Sequence, residues 1–136
     1  MSLYLLDSCV VIDILRGRSE TVEAVRRLLQ GGATLATCDV VVAEIAAGTR
    51  ASERAATVAL LATFEHLGLS YEGALRAGTW KAEYRAKGTT LSLLDCLIAA
   101  TAVEHPAVLV TDNVARYPYP ELSLHRPGGR TVTEVP

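Results

Sequence analysis

Residues 3–12 read LYLLDSCVVI: one acid, Asp7, between two apolar runs. A short apolar run bounded by a carboxylate reads as a buried strand ending in an acid. An ionised group taken out of water is costly unless something pairs with it. The partner of Asp7 therefore decides how the rest of the chain is read.

Outward from that stretch, apolar runs alternate with helical patterns. Residues 10–16 look helical and stop at Gly17, and Ser19 caps a helix to Gln30 with Val22, Val25 and Leu29 on one face. Residues 33–37 read as a second strand, and Asp39 caps a helix ending near Gly48. A helix is expected over residues 52–66, a third strand at 69–71, and a helix at 72–87. Ser92 opens the most apolar helix, LLDCLIAATAV. Residues 107–111 and 122–125 read as the last two strands, and the tail PGGRTVTEVP is weakly specified. Strands too apolar to face water, alternating with helices, predict an α/β fold with a parallel sheet covered on both faces. Ligands in such sheets bind beyond the carboxyl ends of the strands, where strand order reverses.

The chain's 136 residues suit one domain, 1–136, with a sizeable core. Half of them are apolar, and no repeat or low-complexity tract is present. A net charge of −2 excludes a constitutive nucleic-acid coat, but not an enzyme that touches nucleic acid locally. The bases are 11 Arg and 2 Lys, a usage suited to bidentate phosphate contacts. Cys9, Cys38 and Cys96 are odd in number, widely spaced and in apolar settings, so they read as buried thiols of a cytoplasmic protein. His66, His105 and His125 are scattered and read as surface or helix-end residues. No basic leader precedes the first apolar run and no stretch approaches a membrane span.

Four acids stand apart. Asp7 and Asp112 follow the first and fourth strands. Asp95 lies in an otherwise apolar helix, where Ser92 and Asp95 also match a capping box. Glu44 is mid-helix, with Val40, Val41, Ala47 and Gly48 as its face-mates. Each has a bland reading as a cap, a turn residue or a surface charge. The remaining acids fit such readings well: Asp13 pairs locally with Arg16, Asp39 caps, and Glu20, Glu23, Glu53, Glu65, Glu72 and Glu83 sit among Arg and Lys. One shared cause explains the four better than four separate ones. Carboxylates share a small site only by protonating or binding a cation. Oxygen ligands without His or Cys suit Mg²⁺ or Mn²⁺, and acid-bound metal activates water for phosphodiester cleavage.

These residues resemble the PIN-domain nucleases, and among them the VapC-type toxins of bacterial toxin–antitoxin pairs. The matching stretches are YLLDSCVVIDILRG, VVVAEIAAGTR, GTTLSLLDCLIAATAVEH and VLVTDNVARYP, in family order over nearly the whole chain. The resemblance implies a three-layer fold with a five-stranded parallel sheet ordered 3-2-1-4-5. It also implies hydrolysis of structured RNA such as tRNA with Mg²⁺ or Mn²⁺, leaving a 5′-phosphate. Asp7, Glu44 and Asp95 are then the core catalytic and metal-binding acids and Asp112 the fourth. Ser8, Thr111 and Asn113 support them, and Arg16, Arg50, Arg85 and Arg116 are candidates for the RNA backbone. The sequence departs from the family at Asp112, where many relatives carry a basic residue, and at ARYPYP, where a phenylalanine-containing turn is usual. The implied partners are a VapB-like antitoxin and a second copy of the chain. The apolar helix surfaces in residues 46–62 and after Ser19 are candidate contacts.

An aspartyl-phosphate phosphatase would need D-x-D, and the third residue here is Cys9. A receiver would need an acidic doublet and a late Lys, and neither is present. The remaining alternative is a non-catalytic PIN module that binds RNA or protein.

Overall fold

A computed structural model describes residues 2–127; the rest of the tail lies outside the described residues. The elements run β1 (Leu3–Leu6), α1 (Ser8–Leu15), α2 (Ser19–Gln30), β2 (Thr34–Cys38), α3 (Asp39–Gly48), a 3-10 turn (Ala51–Glu53), α4 (Arg54–Leu61) and β3 (Glu65–Leu67). They continue with α5 (Tyr71–Ala86), α6 (Leu93–Glu104), β4 (Val108–Val110), a second 3-10 turn (Val114–Arg116) and β5 (Leu124–His125). All strand pairs are parallel and the order is β3-β2-β1-β4-β5. The chain steps outward from β1 to β3, then returns across β1 to β4. Strand order therefore reverses between β1 and β4, where Leu6 pairs with Val110. Asp7 follows directly, its N–H donating to Val110 O at 3.0 Å.

Apolar burial holds this arrangement. Leu5, Leu6, Val10, Val11 and Leu109 are fully buried. In α6, Cys96, Ile98, Ala99, Ala100 and Ala102 are equally closed, so small side chains let the helix lie close to its neighbours. Ser92 caps α6, accepting from the Asp95 N–H at 3.4 Å. At the far end of the same helix, Glu104 accepts from the Ser70 N–H at 3.0 Å and from the Ser70 hydroxyl, clamping the start of α5 to the end of α6.

Four expectations change. The helix expected over residues 52–66 stops at Leu61, and Glu65–Leu67 is the third strand in place of 69–71. That strand is at the sheet edge, with Glu65 and His66 exposed, so it carries no apolar signature. His125 is buried, not superficial, edge-to-face with Tyr4 at 5.6 Å, and burial lowers its pKa. Asp13 pairs with Arg18 at 3.7 Å and Thr21 at 3.1 Å rather than with Arg16.

Gly73 sits where the α5–α6 clamp is tightest. A Cβ there would meet Leu69 and, at 2.6 Å, the Glu104 carboxylate that Ser70 holds in place. Gly73→Ala is expected to cost about 1–3 kcal/mol, the usual penalty of overpacking. Urea denaturation checks this; unchanged stability would mean that the clamp yields freely.

Candidate functional site

Asp7 is fully buried and caps α1, its Oδ1 accepting from the Ser8 N–H at 2.8 Å. Its Oδ2 accepts from the Thr111 hydroxyl at 2.7 Å, the Tyr117 hydroxyl at 3.0 Å and the Arg116 guanidinium at 3.3 Å. The pairing that the sequence reading assigned to a metal ion is met here by the chain's own donors. The helix N-terminus adds a favourable partial charge.

Asp95 lies in the first turn of α6, so a second helix N-terminus faces the same point. Its Oδ2 is 3.4 Å from Arg116 Nε, and its Oδ1 lies 3.5 Å from the Tyr117 hydroxyl. That hydroxyl has one proton to donate, and the shorter bond goes to Asp7. Glu44 comes from α3, and its Oε1 is buried without a hydrogen-bond partner.

Desolvation is the largest influence on both Glu44 and Asp95 and raises their pKa values above the ordinary 4.5 and 3.8. For Glu44, the Ser8 hydroxyl opposes this, while the charges of Asp7 and Asp95 add to it. For Asp95, Arg116 opposes and Asp7 adds. Tyr117 is pushed upward by burial and by both aspartates, so its hydroxyl stays a donor.

The other predicted residues are distributed differently. Thr111 is buried and bridges Asp7 to the loop, accepting from the Asn113 N–H at 3.0 Å, so Asn113 acts through its backbone. Asp112 is exposed and is not brought to the three acids. The charges acting on it are those of Asp13, Arg126, Arg18 and Glu20. The chain leaves β4 at Val110 and bends at Asp112, which leaves that side chain apart from the bond between Thr111 and Asp7. Arg16 and Arg50 line a cavity that Glu44 also lines, and Arg85 is exposed in the last turn of α5.

Sequence reasoning missed Tyr117 and underrated Arg116, which it placed on the surface as a backbone contact. A signal was present in RYPYP. Proline restricts the residue before it to extended backbone, which holds Tyr117 and Tyr119 in fixed, separate directions. Tyr117 turns to the acids, while Tyr119 stacks on Trp80 at 4.1 Å between ring centroids.

Among the described residues, no three acid, histidine or cysteine side chains are drawn into a ready-made ligand shell. Arg116, its side chain 47% exposed, stands as the cation between Asp7 and Asp95. The donor set still fits a hard divalent ion: oxygens only, converging carboxylates, and one buried oxygen left unpaired.

Fold and site together define a class, an α/β protein in which two buried aspartates share one guanidinium at the switch point of a parallel sheet. The PIN-domain family model matches residues 4–115, and the chain belongs to that family. It is similar to Ribonuclease VapC19 of Mycobacterium tuberculosis, 32% identical over 119 residues that cover 87% of this chain and 95% of the relative. A toxin–antitoxin complex from Klebsiella pneumoniae is similar in structure, with a TM-score of 0.71, 26% identity, and 91% and 97% of the two chains covered. VapBC2 from Rickettsia felis bound to a promoter DNA fragment gives a TM-score of 0.78 at 22% identity, covering 91% and 98%, a likeness of fold.

The raised carboxylates set a pH dependence. Between their ordinary and raised values the folded chain binds more protons than the unfolded one, so stability falls as pH rises through that window. Glu44→Gln removes its share. In chelator, the variant is expected to melt above the parent at neutral pH, with the gap closing as pH falls towards 4.5. A gap that widens on acidification in thermal melts would contradict the geometry.

Proposed function

We propose that the chain is a divalent-metal-dependent endoribonuclease, the toxin of a toxin–antitoxin pair, acting on structured RNA such as tRNA in the cytoplasm. The observation that carries this is the sharing of the Arg116 guanidinium by Asp7 and Asp95 at the switch of the sheet, with Glu44 close enough to feel the charges of both aspartates. The ribonuclease named among its relatives and the toxin–antitoxin complexes among its structural neighbours support the same reading.

In this reading Asp7, Asp95 and Glu44 hold Mg²⁺ or Mn²⁺, and Asp112 stands outside the set. The ion supplies Lewis acidity and an activated water for phosphodiester hydrolysis. The chain's residues do the positioning. Ser8, Thr111 and Tyr117 fix the Asp7 carboxylate from both oxygens. Arg116 is half exposed on a short 3-10 turn, and its guanidinium would suit a phosphate oxygen of the substrate.

An antitoxin segment has a place to lie. Val22, Val25 and Leu29 of α2 and Leu60 and Phe64 beyond them line an apolar cavity of about 270 Å³. Leu29 is 53% exposed there, an apolar face suited to a partner helix. A second copy of the chain is the other proposed partner.

Purified protein with total RNA and Mg²⁺ or Mn²⁺ is expected to yield discrete fragments. Asp7→Asn is expected to reduce cutting by at least about 100-fold, the scale of losing one electrostatic stabiliser. Chelation is expected to stop cutting while circular dichroism stays unchanged, because Arg116, Thr111 and Tyr117 hold the acids without an ion. Folded, partner-free protein that cuts no RNA in either metal would favour the binding-module alternative.

A further inference from the structure

A cavity of about 470 Å³ leads away from Glu44 between α1, α3 and the turn before α4. Two guanidiniums line it, those of Arg16 at the end of α1 and Arg50 just beyond α3. Among the described residues neither has a carboxylate within ion-pair distance, in contrast to Arg18, Arg26, Arg76 and Arg116. The hydroxyls in the same wall divide. Thr49 and Thr57 are committed, donating to the carbonyls of Ile45 at 2.6 Å and Glu53 at 2.8 Å. Ser52 has no such bond among the described residues. A Cβ on Gly48 would meet nothing within 4 Å, so the floor is open.

Two carboxylates also line the cavity, Glu53 at its outer turn and Glu44 at the acid site, and the two guanidiniums, uncommitted to either, with the free hydroxyl suit a phosphodiester strand that reaches the acids at one end. Arg pairs phosphate oxygens bidentately, and the hydroxyl suits a phosphate or a ribose 2′-OH. No aromatic side chain lines the cavity, so there is no stacking platform for bases. Grip on the backbone, not on base identity, is what this wall offers.

We propose that this cavity is the track for single-stranded RNA on one side of the scissile bond, with Arg16 and Arg50 holding its backbone phosphates and Ser52 assisting. The inference rests on the ribonuclease reading above and assigns its substrate a path.

The test uses the full chain in chelator, so that nothing is cut, and a fluorescein-labelled single-stranded RNA oligonucleotide. Binding is measured by anisotropy across a series of salt concentrations. Each phosphate contact on a single strand contributes about 0.7 to the slope of log K against log salt. The double variant Arg16→Gln/Arg50→Gln is therefore expected to lose about 1.4 from that slope. Arg26→Gln/Arg27→Gln changes net charge equally near the end of α2 and is expected to keep the parent slope. With Mg²⁺ added, the track double variant is expected to raise KM and leave kcat in place, as loss of uniform binding does. Thermal melts confirm that each variant is folded.

Equal slopes and equal KM in a parent that cuts RNA would overturn the track and leave the ribonuclease reading standing. A parent that shows the slope difference but cuts nothing would support the track and overturn the ribonuclease reading. Unchanged RNA binding with lost affinity for a polyglutamate peptide would give the cavity to an acidic protein segment and overturn the track.

Discussion

Asp7 has no exposure to water, and its carboxylate sits at the one place where the sheet reverses direction. Burying it requires a donor for every lone pair it turns inward, because an unpaired buried charge is among the costliest defects a fold can carry. Its donors come from both sides of the reversal. Ser8 is its neighbour in sequence, while Thr111, Arg116 and Tyr117 follow the fourth strand. The two halves of the chain are thus tied together at the switch point of the sheet. Helix N-termini reinforce the tie, since α1 starts after Asp7 and α6 starts just before Asp95.

The same constraint explains why the site is poised rather than settled. Tyr117 and Thr111 satisfy Asp7, whereas the Ser8 hydroxyl serves Glu44 only in part and its Oε1 stays buried and unpaired. Desolvation and the charge of Asp7 raise both Glu44 and Asp95, against the opposing charge of Arg116. One guanidinium serves Asp7 and Asp95 together, and it reaches them from a half-exposed side chain on a short turn. A site with one half-exposed guanidinium and an unpaired buried oxygen has reason to accept a divalent cation. It gives up no structural support in doing so, because the fixed donors to Asp7 remain.

Much of this was legible in the sequence, for physical reasons that differ from residue to residue. The strands flanking the switch are fully apolar, so β1 and β4 and the acid after each were readable. Asp95 and Glu44 stood out because their helical neighbours are small and apolar. The third strand did not stand out, because an edge strand with two exposed residues of three has no period to read. Asp112 was chosen by its position after a strand. The chain bends just after Thr111, and Asp112 comes under the charges of Asp13, Arg126, Arg18 and Glu20 instead. The local shape at Tyr117 was legible in RYPYP but its partner was not: Asp7 is 110 residues away, and no local pattern encodes so distant a bond.

The central claim is that the three carboxylates form a cation site whose place Arg116 fills when no metal is bound. The direct measurement is Mn²⁺ binding by electron paramagnetic resonance on the parent, Arg116→Gln and Asp95→Asn. Removing the internal cation should tighten Mn²⁺ binding by about tenfold, equivalent to roughly 1.4 kcal/mol, and removing Asp95 should weaken it. Mn²⁺ affinities that do not respond to either substitution would contradict the account.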